Sequence, residues 1–265
     1  MYAEILKICD QNLKYLNYSN RTIEVYCHYI NKFLIKVNKY PQHLTSNDFQ
    51  NYLNTFEFSS ISQQNQIINA IKFLYEKVLN KKYDKVKFER PRRERHLPQV
   101  IDKNFVLEKI NNITNLKHKA IISLAFSTGL RVSEVVNLKI EDIDSKRGII
   151  NIRQAKGNKD RIVPLSPTIL TLLREYYKEY KPNTYLFNGQ LSLQYTASSC
   201  NKLVKHYLGE EYHFHCLRHG CFTSLLEAGT DLRVIQKIAG HSSSKTTEIY
   251  THVSTQMLHN VKLPL

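Results

Sequence analysis

From Ser19 the apolar positions Ile23, Tyr26, Cys27, Ile30, Phe33, Leu34 and Val37 recur at the spacing of one buried helix face. Pro41 is expected to end that helix, because its ring blocks continuation. Thr45 precedes Asp48 by three residues, a capping-box start with Asp in place of the usual Glu, for a short helix through Tyr52 and Leu53. Ser62 is the expected cap of a further helix, with Ile67, Ile71, Leu74 and Val78 along one side. The outer faces carry Asn, Gln, Lys and Tyr, which either meet phosphates and bases or simply solvate a helical surface.

Between Lys81 and His96 the periodicity is lost. Lys81, Lys82, Lys85, Lys87, Arg90, Arg92, Arg93 and Arg95 crowd together there, beside Pro91 and Pro98. Like charges repel and proline disfavours helix, so this stretch reads as an extended linker, and its charge suits a strap along a DNA backbone. The chain then divides into a helical domain over residues 1–88, a basic linker over 89–98 and a second domain over 99–265.

The second domain opens with helices. Lys117 to Thr128 has an almost wholly apolar centre at Ala120 to Phe126; Gly129 supplies a stop, and another helix follows over Val132 to Leu138. Ile149 to Ile152 and Arg161 to Val163 read as strands around a turn at Gly157 and Asn158. Helices are expected again at 166–180, 192–207, 216–228, 231–239 and 245–251. The fold class is therefore mainly α with a small antiparallel β-sheet.

Charge changes the picture more than composition does. Lys and Arg number 38 against 23 Asp and Glu, a formal net charge of +15. Such an excess favours a polyanionic partner, since each cation set on a phosphate releases condensed counterions. The five cysteines are scattered and form no CxxC pair, which argues against a disulfide framework and fits a reducing compartment. No apolar run approaches the roughly 18 residues that span a bilayer, and the first residues lack the apolar stretch of a signal peptide. A cytoplasmic protein with no membrane partner is expected.

Four local signatures carry candidate chemistry. In Thr128-Gly129-Leu130-Arg131-Val132-Ser133-Glu134, a glycine stop sets Arg131 at the start of a helix, where Glu134 can brace it or cap the helix. Lys156 lies at the tip of the expected hairpin, either solvated or free to swing into a cleft as a proton donor. In His215-Cys216-Leu217-Arg218-His219, three-residue spacing puts His215 and Arg218 on one helix face, a cation and an imidazole suited to a phosphate oxyanion. Zinc is the competing reading, since His213, His215, Cys216, His219 and Cys221 crowd together, but their spacings match no standard site. The fourth signature is Gly240-His241-Ser242, followed by Tyr250-Thr251-His252; with 17 tyrosines present, composition alone does not single out Tyr250.

The order Arg, Lys, His-x-x-Arg, His, Tyr, with a hairpin between the first two, resembles the tyrosine recombinase (phage integrase) family along nearly the whole chain, in the manner of simple Xer-like or integron-like integrases. The resemblance implies an N-terminal helical DNA-clamping domain and a mixed α/β catalytic domain. It maps Arg131, Lys156, His215, Arg218 and His241 onto the family's catalytic set and Tyr250 onto its nucleophile. The departures are Ala155, where many relatives have Gly, and Gly220 inside a helix. It further implies double-stranded DNA with inverted-repeat core sites as partner, a monomer in solution that becomes a homotetramer on DNA, and strand exchange through a Holliday junction. A bacterial or phage-encoded, nucleoid-associated enzyme that needs no cofactor, metal or ATP is expected. The apolar tail over 254–265 packs either on its own domain or on a neighbouring protomer. A non-enzymatic DNA-binding module would leave the ordered set a coincidence; a type IB topoisomerase would share the chemistry without site specificity.

Overall fold

The computed structural model describes residues 2–81, 90, 99–155, 159–190, 192–241 and 243–251. The chain forms two compact units, Met1–Arg95 and His96–Leu265.

The first unit is built from α1 (Ala3–Tyr15), α2 (Asn20–Val37), α3 (Ser46–Thr55) and α4 (Ile61–Phe73), with a single π-helical turn at Leu74–Val78. Ser19 caps α2 by accepting from Thr22 N–H, and Ile23, Ile30, Phe33 and Leu34 of the expected stripe are buried. The helix stops before Pro41 because Asn38 turns left-handed, φ +51°, and donates its N–H to Leu34 O. The Thr45–Asp48 capping box forms as expected, each residue satisfying the other's backbone N–H. At α4 the cap is Ser60, not Ser62: Ser60 is extended and accepts from Gln63 N–H, while Ser62 lies in the first turn. The helix α1 and the widened turn after α4 were not foreseen. Phe33 sits at the centre, with ring centroids of Tyr52 at 5.1 Å and Phe49 at 6.2 Å in edge contacts.

In the second unit α5 (Lys103–Asn111) and α6 (Leu116–Thr128) lead into α7 (Val132–Asn137), a three-stranded sheet, and then α8 (Pro167–Tyr180), α9 (Ala197–Leu208), α10 (Phe214–Glu227), α11 (Leu232–Ala239) and α12 (Lys245–Glu248). Ala120 to Phe126 are all buried, Ser123 included, so the middle of α6 is enclosed on every side and runs through the core, against α5, α8, α9 and α10. The antiparallel sheet has the order β1 (Ile143–Asp144), β2 (Ile149–Ala155), β3 (Lys159–Pro164). The two-residue β1 was not foreseen, since it exists only by pairing with Ile149 and Ile150. The expected helix at 192–207 begins only at Ala197, where Thr196 accepts from Ser199 N–H. All five cysteines are free thiols. Among the described residues no helix is long and apolar enough to cross a membrane.

Gly220 illustrates how packing overrides propensity. A Cβ there would lie 2.8 Å from a methyl of Ile101 and 3.1 Å from the Phe126 ring. Helix propensity alone would favour Ala by about 1 kcal/mol. Crowding reverses the sign, and Gly220→Ala is expected to destabilise by about 1–2 kcal/mol net. Urea unfolding checks this; an equal or higher midpoint for the variant would contradict it.

Candidate active site

Four chain segments converge in the second unit: the α6–α7 connection, β3, the first half of α10 and the segment after α11. Gly129 ends α6 in a left-handed conformation, φ +62°, and a Cβ there would lie 2.6 Å from the Phe222 ring. Only glycine fits both demands. The sharp stop brings Arg131 to the N-cap of α7, where Glu134 does both jobs open to it. One carboxylate oxygen accepts from Arg131 N–H and the other from its guanidinium, each at 2.8 Å. Burial alone would raise the Glu134 pKa, but hydrogen bonds from Arg161 and Arg131 hold it at about 2.

Among the described residues Arg218 is the largest fully buried side chain, only 1% exposed. Its Nη1 donates to Gly129 O and its Nη2 to Ala239 O, both at 2.6 Å, and the guanidinium lies 4.7 Å from the Phe222 ring centroid. Burial, then repulsion from Arg131, pushes its pKa down to about 10, so it stays charged near neutrality. Arg218 Nη2 also stands 3.0 Å from His241 Nε2. Arginine can only donate, so Nε2 accepts, and the ring proton sits on Nδ1, directed at Thr247 Oγ1 2.9 Å away. Burial, followed by Arg218, Arg131 and Arg161, lowers the His241 pKa to about 4 and keeps the ring neutral.

Tyr250 is 1% exposed. Its ring stacks on His241 at 6.4 Å between centroids and meets Phe222 at 5.5 Å and His219 at 5.7 Å. Burial raises its pKa to about 12, against the opposing charges of Arg218 and Arg131. His215 lies on the same helix as Arg218 but opens to solvent, and its ring meets His219 edge-on at 4.6 Å. Partial desolvation, then Arg218, His213 and Arg131, lowers its pKa to about 4.

Arg131, Arg218, His241 and Tyr250 therefore come together, with His215 reached through His219. Lys156 lies outside the described residues. Two further residues belong to the site although neither was assigned a part in it from sequence. Arg161 forms a bidentate pair with Glu134, both contacts 2.7 Å. His219 touches both His215 and Tyr250, and its Nδ1 is buried without a hydrogen-bond partner among the described residues. His219 closes the His215–His219 signature but reads there only as a candidate zinc ligand, and Arg161 only as the first residue of a strand. Among the described residues no three of His, Cys, Asp and Glu converge as metal ligands; Cys216 Sγ instead meets His213 Nδ1 at 2.8 Å.

Of the basic linker residues, Lys81 is engaged by the carbonyl oxygens of Gln42 and Leu44, and Arg90 donates to Asn69 Oδ1 at 2.9 Å. Lys82, Lys85, Lys87, Arg92, Arg93 and Arg95 lie outside the described residues, as does the tail over 254–265.

Residues 99–257 match the phage integrase family, and residues 5–85 match the phage integrase N-terminal SAM-like domain. The tyrosine recombinase XerA of Pyrococcus horikoshii is 33% identical over 97% of this chain and 91% of its own. The tyrosine recombinase XerD of Staphylococcus saprophyticus is 32% identical over 74% of this chain and 73% of its own. A crystal structure of XerA recombinase aligns over 99% of this chain and 100% of its own, with 29% identity and a TM-score of 0.57. The XerH recombinase bound to difH DNA before cleavage shares the fold, with a TM-score of 0.73 and 23% identity over 98% of this chain and 82% of its own. The chain belongs to the phage integrase family and is a tyrosine-type site-specific recombinase.

Proposed function

We propose that this recombinase cuts and rejoins DNA through a 3′-phosphotyrosine at Tyr250. The observation that carries the reading is the convergence of Arg131, Arg218, His241 and Tyr250 on one site. Tyr250 Oη attacks the scissile phosphorus and the bond to the 5′-oxygen breaks. The phenolic proton passes to His215, reached through His219 or by a small movement, and Lys156 protonates the departing 5′-oxygen. Arg131 and Arg218 hold the non-bridging oxygens and balance the charge of the phosphorane. His241 can donate to those oxygens only after exchanging its Nε2 contact with Arg218, so DNA binding rearranges that pair. The phosphotyrosine keeps the bond energy, and attack by a 5′-hydroxyl of another strand reverses the step without ATP.

The working unit is a homotetramer on inverted-repeat core sites of double-stranded DNA, assembled from monomers, with strand exchange in pairs through a Holliday junction. The N-terminal unit over 1–88 clamps the DNA, the linker over 89–98 follows its backbone, residues 99–265 carry the chemistry, and the protein works in the cytoplasm. Arg90 and the linker cations supply phosphate contacts, whereas Lys81 is held by its carbonyl partners.

The test is a nicked suicide duplex carrying sites from the gene's own neighbourhood. A covalent protein–DNA adduct on a denaturing gel supports the reading, and binding without an adduct on a verified recombination site would overturn it. With a net charge of +15, DNA affinity is expected to fall by about 10³-fold or more between 50 and 200 mM salt. A flat titration by fluorescence anisotropy would contradict the clamp.

A further inference from the structure

We infer that Arg161 is a positioning residue for strand cleavage, tying the Glu134 carboxylate that holds Arg131 to the end of α11 that carries His241. The inference rests on the cleavage reaction proposed above.

The first sign is an inverted strand. The sheet register pairs Ile150 with Val163 and Ile152 with Arg161. Paired and alternate residues share a face, so Arg161 takes a core position beside buried Ile150, Ile152 and Val163. Ile162, on the opposite face, is 52% exposed. A strand built for burial alone would turn this pair around, because a buried charge is destabilising unless fully paired.

Arg161 is paired throughout. Its side chain is 8% exposed; Nη1 and Nη2 each lie 2.7 Å from a Glu134 oxygen, and Nε donates to Ile238 O at 2.7 Å. A buried side chain whose Nε and both Nη atoms are engaged within the protein orients other groups and is no phosphate ligand. Three successive carbonyls at the end of α11 receive three different arginines: Ile238 from Arg161, Ala239 from Arg218 and Gly240 from Arg131 at 3.5 Å. A helix C-terminus offers unpaired carbonyls and the negative end of its dipole, which suits a cluster of cations. Gly240 completes the fit, since a Cβ on it would lie 2.9 Å from Arg161 Cδ. Through Arg161, the brace of one phosphate-binding arginine is fixed to the segment that receives the other and precedes His241.

The experiment is single-turnover cleavage of the nicked duplex at saturating DNA by wild type, Arg161→Ala and Arg161→Lys. Rate constant, amplitude and half-saturating DNA concentration are read separately. A misplaced site lowers the rate constant, whereas a merely destabilised protein loses amplitude. Arg161→Ala is expected to lower the rate constant by about 10²-fold. Arg161→Lys keeps one contact to Glu134 but neither the fork nor the Ile238 bond, and is expected to show a smaller loss at full amplitude. Half-saturation should stay within about threefold in both, as for a residue that acts only on the transition state. If Arg161→Ala does not fold, Arg161→Lys decides alone. A wild-type rate constant in the folded variants, or failure of both to fold, would overturn the inference. A wild type that forms no adduct would instead remove the cleavage reading beneath it, so the two failures are distinguishable.

Discussion

Tyr250→Phe is expected to abolish the covalent protein–DNA adduct while DNA binding and fold persist. The phenyl ring keeps its packing against Phe222, His219 and His241, so the buried surface is nearly unchanged. What disappears is the only atom proposed to attack phosphorus. At pH 7 a phenol with a pKa of about 12 must climb five units to ionise, about 7 kcal/mol. The proposed reaction has to overcome that cost. The cations beside it offset part of the cost once a phosphate draws them in, and a base removes the rest. Without the hydroxyl none of this has an object, and cleavage should fall by at least about 10⁴-fold. Removing the buried hydroxyl should cost about 1–2 kcal/mol of stability. A nicked suicide duplex resolved on a denaturing gel checks the first effect and urea unfolding the second. An adduct that survives in the variant would move the nucleophile to another tyrosine.

Arg218→Lys is expected to damage stability and catalysis together, although it keeps the charge. Arg218 reaches Gly129 O, Ala239 O and His241 Nε2 with a planar fork, and stacks on Phe222. A lysine nitrogen cannot meet both carbonyls and the ring from one position. A buried carbonyl left unpaired costs about 1–3 kcal/mol, which should appear as a lower urea midpoint. In the reaction, loss of a donor fixed on the phosphorane costs about 10²–10³ in rate. Single-turnover cleavage at saturating DNA measures that term apart from binding. A rate within tenfold of wild type would show that Arg218 is a structural strut.

The fold class and most helix positions were legible from local pattern, and the candidate site's members only from a family resemblance. Ile23, Ile30, Phe33 and Leu34 betray a buried face because helix geometry forces their spacing. Thr45 with Asp48, and Gly129 after an apolar run, mark helix ends because each answers a backbone need within a few residues. Arg131, His215, Arg218, His241 and Tyr250 stood out because their order resembles that of the tyrosine recombinase family. The failures are of another kind. The cap of α4 lay between two nearby serines, and only the extended backbone at Ser60 decides which one accepts from the helix. The strand β1 is two residues whose pairing partners lie elsewhere in the chain.

The chain's own pattern thus determined where helices run and which residue types were available for phosphate chemistry, because those depend on neighbours three or four positions away. Only the tertiary structure decided that Arg218 is buried while His215 opens to solvent, although both share a helix face. It also decided that Arg161 rather than Ile162 faces the core, since alternation along a strand is equally consistent with either face and only the register against β2 chooses. The arginine cluster is set by carbonyls and a carboxylate brought together from distant parts of the chain, and such partners leave no local trace.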